Sequence, residues 1–317
     1  MNRLVLIDGN AIMHRAYHAL PMLTNKKGEV TNAVYGFVSM LLRVVEDLKP
    51  THMAVAFDRP KPTFRKELFK EYQAHRPEME EGLSSQFGKV HEVVEAMHIP
   101  IYEMDGFEAD DVIGTLAEQV QKKKLKSDGG KMDEVVVVTG DRDLLQLVNH
   151  RVNLFMPVKG MTEAKLFGEK EAEERMGVPP KQIPDLKALC GDPSDNYPGV
   201  AGIGPKTAAA LLKQFGTVEN LYNHLDEISN ATLKDKLIKG KEAAFLSHQL
   251  ATVVRDVPVA FDPHKALLTD FVTPEVIEVF NQLGFKTLLK RITGMTKREQ
   301  KDVKKPVKKD KEQLGLF

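Results

Sequence analysis

Acidic residues follow three short apolar segments of the chain. The pairs are residues 4–7 with Asp8, residues 53–57 with Asp58, and residues 135–138 with Asp141 and Asp143. Short apolar runs of this kind are typical of strands buried on both faces of a parallel sheet. Because functional groups gather at the carboxyl ends of such strands, we expect these acids to share one rim of the sheet.

Residues 106–111 add a further acidic cluster, where a helix is expected to begin near Ala109. The cluster contributes Glu108, Asp110 and Asp111. Carboxylates gathered on one rim repel each other, so the site should bind cations. Oxygen ligands without clustered His or Cys suit Mg²⁺ or Mn²⁺, and two such ions can promote phosphodiester hydrolysis.

Each single acid also has a purely structural interpretation. Asp58 and Asp110 could cap helices, and Asp141 could close a turn. Capping alone does not explain why every one of these acids follows an apolar run or a helix entrance.

The densest motif, residues 191–208, combines acids, glycines and prolines. Its glycines at residues 202–204 should stand at the entrance of a helix that begins near Pro205. Glycine lets backbone N–H groups approach a phosphate closely, and Lys206 adds a charge. A plain turn between two helices is the alternative.

Residues 63–97 begin with basic side chains interleaved with aromatic ones. They are Phe64, Arg65, Lys66, Phe69, Lys70, Tyr72, His75 and Arg76. This pattern suits single-stranded nucleic acid, which offers phosphates and exposed base faces. An amphipathic surface helix that packs its apolar residues inward is the alternative.

Three stretches of different character divide the chain. Residues 1–168 alternate strand-like runs with helical stripes, which predicts an α/β domain with a parallel sheet. Residues 169–291 carry helical patterns broken by Pro and Gly, and we expect a separate helical domain. The predicted helices of that domain cover residues 207–215, 218–224, 243–254 and 274–283. Residues 292–317 are rich in lysine and poor in apolar residues, so we expect them to be disordered.

Composition excludes several classes of protein. Cys190 is the only cysteine, so no intrachain disulfide can form, which fits a cytoplasmic protein. No apolar stretch approaches the length of a membrane span, and no signal peptide is visible before Asp8. The formal net charge is +0, so any binding of nucleic acid must come from local patches.

In this order, the motifs resemble those of the 5′-nuclease domain of bacterial DNA polymerase I, within the wider flap-endonuclease family. The likeness covers about residues 3–290 and is carried by residues 6–10, 57–58, 106–114, 139–148 and 191–208. It implies a PIN-like α/β nuclease core followed by a helical domain with a helix-3-turn-helix motif for DNA binding. It also implies a metal-site role for the acids, with Asp8, Asp58, Glu108 and Asp110 at one ion and Asp111, Asp141, Asp143, Asp192 and Asp195 at the second.

The resemblance further implies a DNA-binding surface. Residues 63–99 match the arch under which a free 5′ end passes, and the turn of the helix-3-turn-helix motif often holds K⁺. The implied DNA-binding residues, of which Arg76 is also catalytic, are Arg65, Lys66, Lys70, Tyr72, Arg76, Gly202, Ile203, Gly204, Lys206 and Thr207.

Position 73 departs from the family pattern. The family has a lysine there that contacts the scissile phosphate, whereas this chain has Gln73. Glutamine can hydrogen-bond but carries no charge, so its contact to a phosphate is weaker. Lys70, one helical turn away, is a candidate replacement.

The expected function is that of a monomeric, structure-specific 5′→3′ DNA exonuclease and flap endonuclease in replication and repair. Its expected substrates are 5′ flaps, nicks and branched duplexes, with an RNA primer as a further candidate. A catalytically weak DNA-junction-binding protein of the same fold and a PIN-like ribonuclease are the alternatives. The full acid set argues against the first, and the duplex-binding motif argues against the second.

The last five residues suggest a protein partner. Gln313, Leu314, Leu316 and Phe317 resemble the motif with which bacterial repair proteins bind the sliding clamp. Apolar residues that end a polar tail have no core of their own to join. Folding back onto the chain, or a chance match, is the alternative.

Overall fold

The computed structural model describes residues 2–122, 132–159, 163–269 and 271–303. Its sheet has the strand order β3-β2-β1-β4-β5-β6, and all neighbours are parallel except β5 and β6. The strands are β1 (Arg3–Asp8), β2 (His52–Ala56), β3 (Ile101–Tyr102), β4 (Glu134–Val138), β5 (Val152–Lys159) and β6 (Glu163–Phe167). The predicted parallel sheet is confirmed, although the sequence pattern identified only β1, β2 and β4.

Helices cover both faces of this sheet and dominate the second half of the chain. They are α1 (Gly9–Ala19), α2 (Asn32–Leu48), α3 (Phe64–Leu68), α4 (Glu81–Ser84), α5 (Phe87–Ala96), α6 (Ala109–Lys122), α7 (Glu169–Met176), α8 (Ile183–Cys190), α9 (Pro205–Phe215), α10 (Val218–Asn223), α11 (Ala231–Lys239), α12 (Lys241–Ala251), α13 (Pro263–Ala266), α14 (Pro274–Leu283) and α15 (Lys286–Val303). The helices predicted from apolar spacing all exist, with ends shifted by a few residues. Within the described ranges, none of these helices has both the length and the apolar character needed to cross a bilayer.

The alternation of side chains along the strands presents the first acid at the rim. On β1, Leu4 and Leu6 belong to the hydrophobic cluster that includes α6, whereas Val5 and Ile7 belong to the cluster on the opposite face with α2. Successive strand residues point to opposite faces, so both clusters hold the same strand. Asp8, the last residue of β1, therefore has a fixed place at the carboxyl edge.

The predicted helical second part, residues 169–291, packs directly onto the α/β part. Helices α8 and α9 share one hydrophobic cluster with α6 and one face of the sheet. Helix α14 returns to the opposite face, where Val276 and Phe280 are buried together with Phe37 of α2. Helices α8, α9, α10 and α12 also pack on one another, with α12 and α9 against α8 and α10 against α9.

The expected disorder from residue 292 onward is wrong for its first part. Helix α15 extends through Val303. Leu288 and Ile292, one helical turn apart, are buried against the core on the α2 side, and this packing stabilises the helix despite its lysines. The clamp-like residues 313–317 lie outside the described residues.

Candidate metal centre and nucleic-acid interface

A polar cleft of about 680 Å³ lies at the carboxyl ends of the parallel strands. Most of the acids predicted as metal ligands lie in this cleft. Most of these end or follow β1, β2 and β4, or stand at the start of α6. Seven of the nine predicted acids line the cleft, namely Asp8, Asp58, Glu108, Asp110, Asp141, Asp143 and Asp195. Arg65, Lys66, Tyr72 and Arg76 of the predicted DNA-binding set also line it, whereas Lys70 does not.

Backbone amides and one hydroxyl group orient the acids that follow β1 and β2. Asp8 Oδ1 accepts a hydrogen bond from the Ala11 N–H (2.9 Å), and its Oδ2 accepts one from the Thr139 hydroxyl (2.7 Å). Asp58 Oδ1 accepts from the Ala109 N–H at the start of α6 (2.7 Å). These acids therefore do act as helix caps, and each oxygen keeps a lone pair for a further ligand.

Asp141 combines the two predicted roles in the same way. Its Oδ1 accepts from the Asp143 N–H (2.8 Å), and its own N–H donates to the Thr139 hydroxyl (2.9 Å). The resulting tight turn presents both aspartates to the cleft. The turn interpretation and the metal-site interpretation are thus compatible.

The acids in the cleft resist ionisation together. Burial raises the pKa of Asp8 to about 7, and the negative charges of Asp58 and Asp141 add to this effect. Burial likewise raises the pKa of Glu108 to about 7, although Arg65 opposes it, and raises the pKa of Asp110 well above its usual value. Such a cluster is fully ionised at neutral pH only when cations compensate its charge.

A second acid group lies beside the first. Ligand oxygens of Asp143, Asp192 and Asp195 all lie within 4.8 Å of one another. The ammonium of Lys187, on α8, contacts both Asp143 and Asp192. Burial opposes ionisation of Asp192, but hydrogen bonds and charge from Lys187 outweigh it and lower its pKa.

Sequence reasoning missed Lys187. The available signal was a lysine within the apolar segment of residues 183–190, directly before an acid-rich loop. That pattern is common on solvated helix faces, so it did not distinguish a buried lysine from an exposed one.

Asp111 does not belong to the cleft, which corrects its assignment as a metal ligand. It is fully buried and accepts two hydrogen bonds from the Arg65 guanidinium, at 2.7 and 2.8 Å. The N–H groups of Val254 (2.8 Å) and Glu108 (3.1 Å) donate to the same carboxylate. These four hydrogen bonds occupy both oxygens of the Asp111 carboxylate in the interior of the protein.

The guanidinium of Arg65 is also hydrogen-bonded within the protein, which corrects its assignment as a DNA-binding residue. Only 2% of the residue is exposed. Besides Asp111, it donates to the carbonyl oxygens of Leu250 (2.8 Å) and Thr252 (3.0 Å). Arg65 therefore joins the arch segment to the end of α12.

The first part of the arch segment, residues 63–76, is a short helix followed by turns, and not one long surface helix. Helix α3 ends at Leu68, so Lys70 is not one helical turn from Gln73 and cannot replace the family lysine by that route. Lys66 Nζ donates to the Tyr72 carbonyl (2.8 Å). Tyr72 is buried, and its hydroxyl donates to Glu108 Oε2 (3.3 Å), so in this structure its ring is not available to stack on a base.

The glycine turn opens onto solvent before α9. Gly202 has φ +76°, a left-handed conformation that favours glycine, and a Cβ placed on Gly204 would meet no heavy atom within 4 Å. Lys206 and Thr207 are exposed on the first turn of α9. Ile203 is buried, and its N–H donates to the Val200 carbonyl (3.0 Å), so its predicted DNA contact is corrected to a structural role.

Two family models match the chain over most of its length. Residues 3–177 match the 5′-3′ exonuclease N-terminal resolvase-like domain, and residues 178–273 match the 5′-3′ exonuclease C-terminal SAM fold. Both descriptions name the enzyme class that the sequence motifs predicted, which is thereby confirmed.

Similar curated proteins are bacterial polymerases. The chain is 45% identical over 290 residues to DNA polymerase I of Bacillus subtilis, a match that covers 92% of the chain and 32% of the polymerase. It is 43% identical over 303 residues to DNA polymerase I of Bacillus caldotenax, with 96% and 34% covered. The chain thus spans about a third of the length of these relatives.

Similar solved structures support the fold. The flap endonuclease of bacteriophage T5 superposes with a TM-score of 0.65 at 20% identity, covering 94% of this chain and 100% of the phage protein. Flap endonuclease-1 of Methanococcus jannaschii superposes with a TM-score of 0.55 at 17% identity, covering 94% and 93%. The predicted α/β nuclease core with a helical second part is confirmed.

Proposed function

Since the chain belongs to the 5′-3′ exonuclease family, we propose that it cleaves branched and nicked DNA as a structure-specific 5′→3′ exonuclease and flap endonuclease. The observation that carries this proposal is the convergence of seven carboxylates on one cleft at the carboxyl ends of the strands. A T5 flap endonuclease with the same fold was solved in complex with DNA and metal ions. The donor set found here, carboxylates without Cys or clustered His, suits Mg²⁺ or Mn²⁺.

We assign the acids to two ion positions. Asp8, Asp58, Glu108 and Asp110 would hold the first ion, and Asp141 together with the group of Asp143, Asp192 and Asp195 would hold the second. When bound, such ions activate water and stabilise the leaving oxygen in phosphodiester hydrolysis. The raised pKa values of Asp8, Glu108 and Asp143, each about 7, fit a site built for cations.

The residues of the chain itself orient these ligands and bind the substrate. Thr139 and the start of α6 hold Asp8 and Asp58 in fixed directions through the hydrogen bonds given above. Gly204, Lys206 and Thr207, exposed at the N-terminus of α9, would bind a duplex phosphate through backbone N–H groups and one charge. Contacts of this kind recognise the shape of the backbone and not the base sequence.

A K⁺ ion at this turn would compete with a cation of the chain. The Gly202 carbonyl already accepts a hydrogen bond from the Lys236 ammonium (3.1 Å). We therefore propose that Lys236 supplies the positive charge that K⁺ would bring. Duplex affinity of the wild type should be the same in K⁺ and Na⁺ at equal ionic strength, measured by fluorescence anisotropy.

A matched pair of variants tests the role of Lys236. Lys236→Met should weaken duplex binding and make it depend on K⁺, whereas Lys239→Met, which removes an exposed lysine paired with Asp235, should not. A wild-type protein that binds duplex only in K⁺ would contradict the assignment.

One substrate panel distinguishes the proposed function from its alternatives. Purified protein with Mg²⁺ should cut labelled 5′-flap and nicked DNA much faster than blunt duplex or single strands. Binding without cleavage would favour a junction-binding protein, and faster cutting of RNA strands would favour a ribonuclease. Removing Mg²⁺ with EDTA should abolish cleavage without abolishing binding.

We also propose that the chain acts in replication and repair, where flaps and RNA primers are removed. It would be a cytoplasmic monomer and would bind the sliding clamp through residues 313–317. Residues 292–303 belong to α15, so nine residues, 304–312, separate this helix from the motif. Tethering raises the effective concentration at nicks without changing the chemistry. Deleting residues 313–317 should abolish clamp binding and clamp stimulation while basal flap cleavage stays unchanged; unaltered clamp affinity would exclude the motif.

A further inference from the structure

One short segment of the arch contacts both acid groups of the cleft. We call residues 71–76 the strap. At one end the Tyr72 hydroxyl donates to Glu108 Oε2 (3.3 Å). Further along, Gln73 Nε2 (3.1 Å) and Arg76 Nη2 (2.6 Å) both donate to Asp195 Oδ1. The strap thus spans the space between the two proposed ion positions.

Three contacts that involve no ligand oxygen fasten the strap to the loop that carries Asp195. The Gln73 N–H donates to the Asp195 carbonyl (2.9 Å), and Asn196 Nδ2 donates to the Glu71 carbonyl (2.7 Å). The rings of Tyr72 and Tyr197 stack with centroids 6.5 Å apart. The docked geometry is specific, because Gln73 (φ +54°) and Asn196 (φ +59°) both adopt the left-handed conformation that non-glycine residues rarely take.

The strap and a divalent ion make competing demands on Asp195. The Arg76 guanidinium and the Gln73 amide occupy one oxygen of its carboxylate. Asp143, Asp192 and Asp195 would hold a cation through the same carboxylate that pairs with the Arg76 guanidinium, and the two positive charges would repel each other. It would also draw electron density from the shared carboxylate and weaken both hydrogen bonds.

We propose that Gln73 and Arg76 are positioning residues for Asp195, and that their hold on it is negatively coupled to occupation of the second ion position. This inference rests on the proposed two-ion function. Binding of the second ion loosens the strap from the Asp195 loop, and a docked strap lowers the affinity for that ion. The ion and the strap thereby weaken each other's binding to Asp195 before a 5′ end of DNA enters the cleft.

Gln73 consequently has a different role from the lysine that the family pattern places there. Gln73 lines the cleft, but its side-chain amide donates to Asp195 Oδ1 (3.1 Å), so it acts on a proposed metal ligand. A neutral amide holds the carboxylate less firmly than an ammonium would. The glutamine therefore allows a divalent ion to displace the strap at a lower concentration.

Calorimetric titration with Mn²⁺ in the absence of DNA tests the coupling. Gln73→Met should bind the weaker of two ions about threefold to tenfold more tightly, the range expected when one hydrogen bond stops competing. Gln73→Lys should bind it more weakly by a similar factor. His75→Ala is the matched control, because His75 is an exposed strap residue that makes no contact with either acid group, and it should bind both ions as the wild type does.

Hydrogen exchange provides a readout that does not depend on activity. The backbone amide hydrogen of Gln73 should be protected from exchange without metal. It should exchange faster when Mn²⁺ fills the second position. Asn196→Gly tolerates the positive φ and removes only the contact to Glu71, so it should speed this exchange without metal and tighten the second ion modestly. Thermal melts of each variant verify that it is folded.

The outcomes separate this inference from the proposed function. Two ions that bind while protection of Gln73 stays unchanged, or equal ion affinity in Gln73→Lys and the wild type, would overturn the coupling and leave the two-ion site intact. Failure of the wild type to bind any Mn²⁺ would overturn both.

Discussion

The two acid groups of the cleft differ in how much cationic charge of the chain balances them. In the first, backbone amides and a hydroxyl hold Asp8, burial raises the pKa values, and the nearest cation, Arg65, lies 3.4 Å from Glu108 but is shared with Asp111. In the second group, side chains of the protein supply the cations. Lys187 pairs with Asp143 and Asp192, and Arg76 pairs with Asp195. An ion entering the first group relieves repulsion, whereas an ion entering the second must compete with side chains already in place.

Similar ligands therefore need not give similar ion sites. Metal affinity depends on the charge that the ion replaces as well as on the number of oxygens. We expect the first group to bind its ion more tightly and the second to respond more strongly to mutations of neighbouring cations.

The largest expected effect comes from the residue between the groups. Asp141 interacts electrostatically with Asp8, Asp110 and Asp143, so Asp141→Ala should lower the single-turnover rate by about a thousandfold or more. Flap-DNA affinity should change little because binding comes mainly from the turn before α9 and basic surfaces.

Asp47→Ala, which removes an exposed acid paired with Arg43, is the control for Asp141→Ala and should leave the rate unchanged. Near wild-type turnover in Asp141→Ala would refute the metal assignment.

Removing Lys187 should affect the second group alone. Lys187→Met leaves two largely buried carboxylates facing each other, which should cost about 3 kcal/mol of unfolding free energy in EDTA. Mn²⁺ should restore much of this stability, because the ion replaces the lost ammonium. Denaturant unfolding with and without Mn²⁺ measures both effects, and Lys187→Arg should stay near the wild type.

If instead Mn²⁺ stabilises Lys187→Met no more than it stabilises the wild type, Lys187 does not occupy the position of the second ion.

The pH dependence of stability should expose acids of both groups, because burial also raises the pKa of Asp143 in the second group to about 7. Folded Asp8 and Glu108 have pKa values raised to about 7, so between their unfolded pKa values, near 4, and pH 7 the folded state binds more protons than the unfolded state. Stability of the metal-free protein should therefore fall as pH rises through this window. Melting temperatures in EDTA should drop by roughly 5 °C between pH 5 and pH 7.5.

Asp8→Asn should flatten this pH slope, and saturating Mn²⁺ should reverse it. A metal-free wild type that gains stability from pH 5 to pH 7.5 would count against the raised pKa values.

The smallest expected effect concerns the strap. At saturating Mg²⁺, Gln73→Lys should raise the single-turnover rate by about tenfold or less, because a freed ammonium makes a stronger contact to phosphate than an amide. Ground-state DNA affinity should hardly change, and the half-maximal Mg²⁺ concentration should rise.

A rate that falls in Gln73→Lys would mean that another group contacts the phosphate and that the site has reorganised around it.

Much of the sheet and of the first acid group could be predicted from the sequence. Strand periodicity and parallel pairing are local and repetitive properties, and they place the acids after β1, β2 and β4 on one rim. The motifs identified the enzyme family for the same reason, since each keeps its chemistry within a few neighbouring residues. The sequence pattern did not identify the other three strands, because β3 has only two residues, β5 contains Pro157 and β6 is largely exposed.

The directions of individual side chains and their distant partners could not be predicted, because they depend on tertiary packing. Asp110 and Asp111 are adjacent in sequence, yet about 100° of helical rotation directs one into the cleft and the other onto Arg65. Helix α15 folds past residue 292 because Ile292 reaches a core built from α2, far away in the chain. Local periodicity determines which face a residue occupies, but the partner it meets depends on contacts between segments that no sequence window contains.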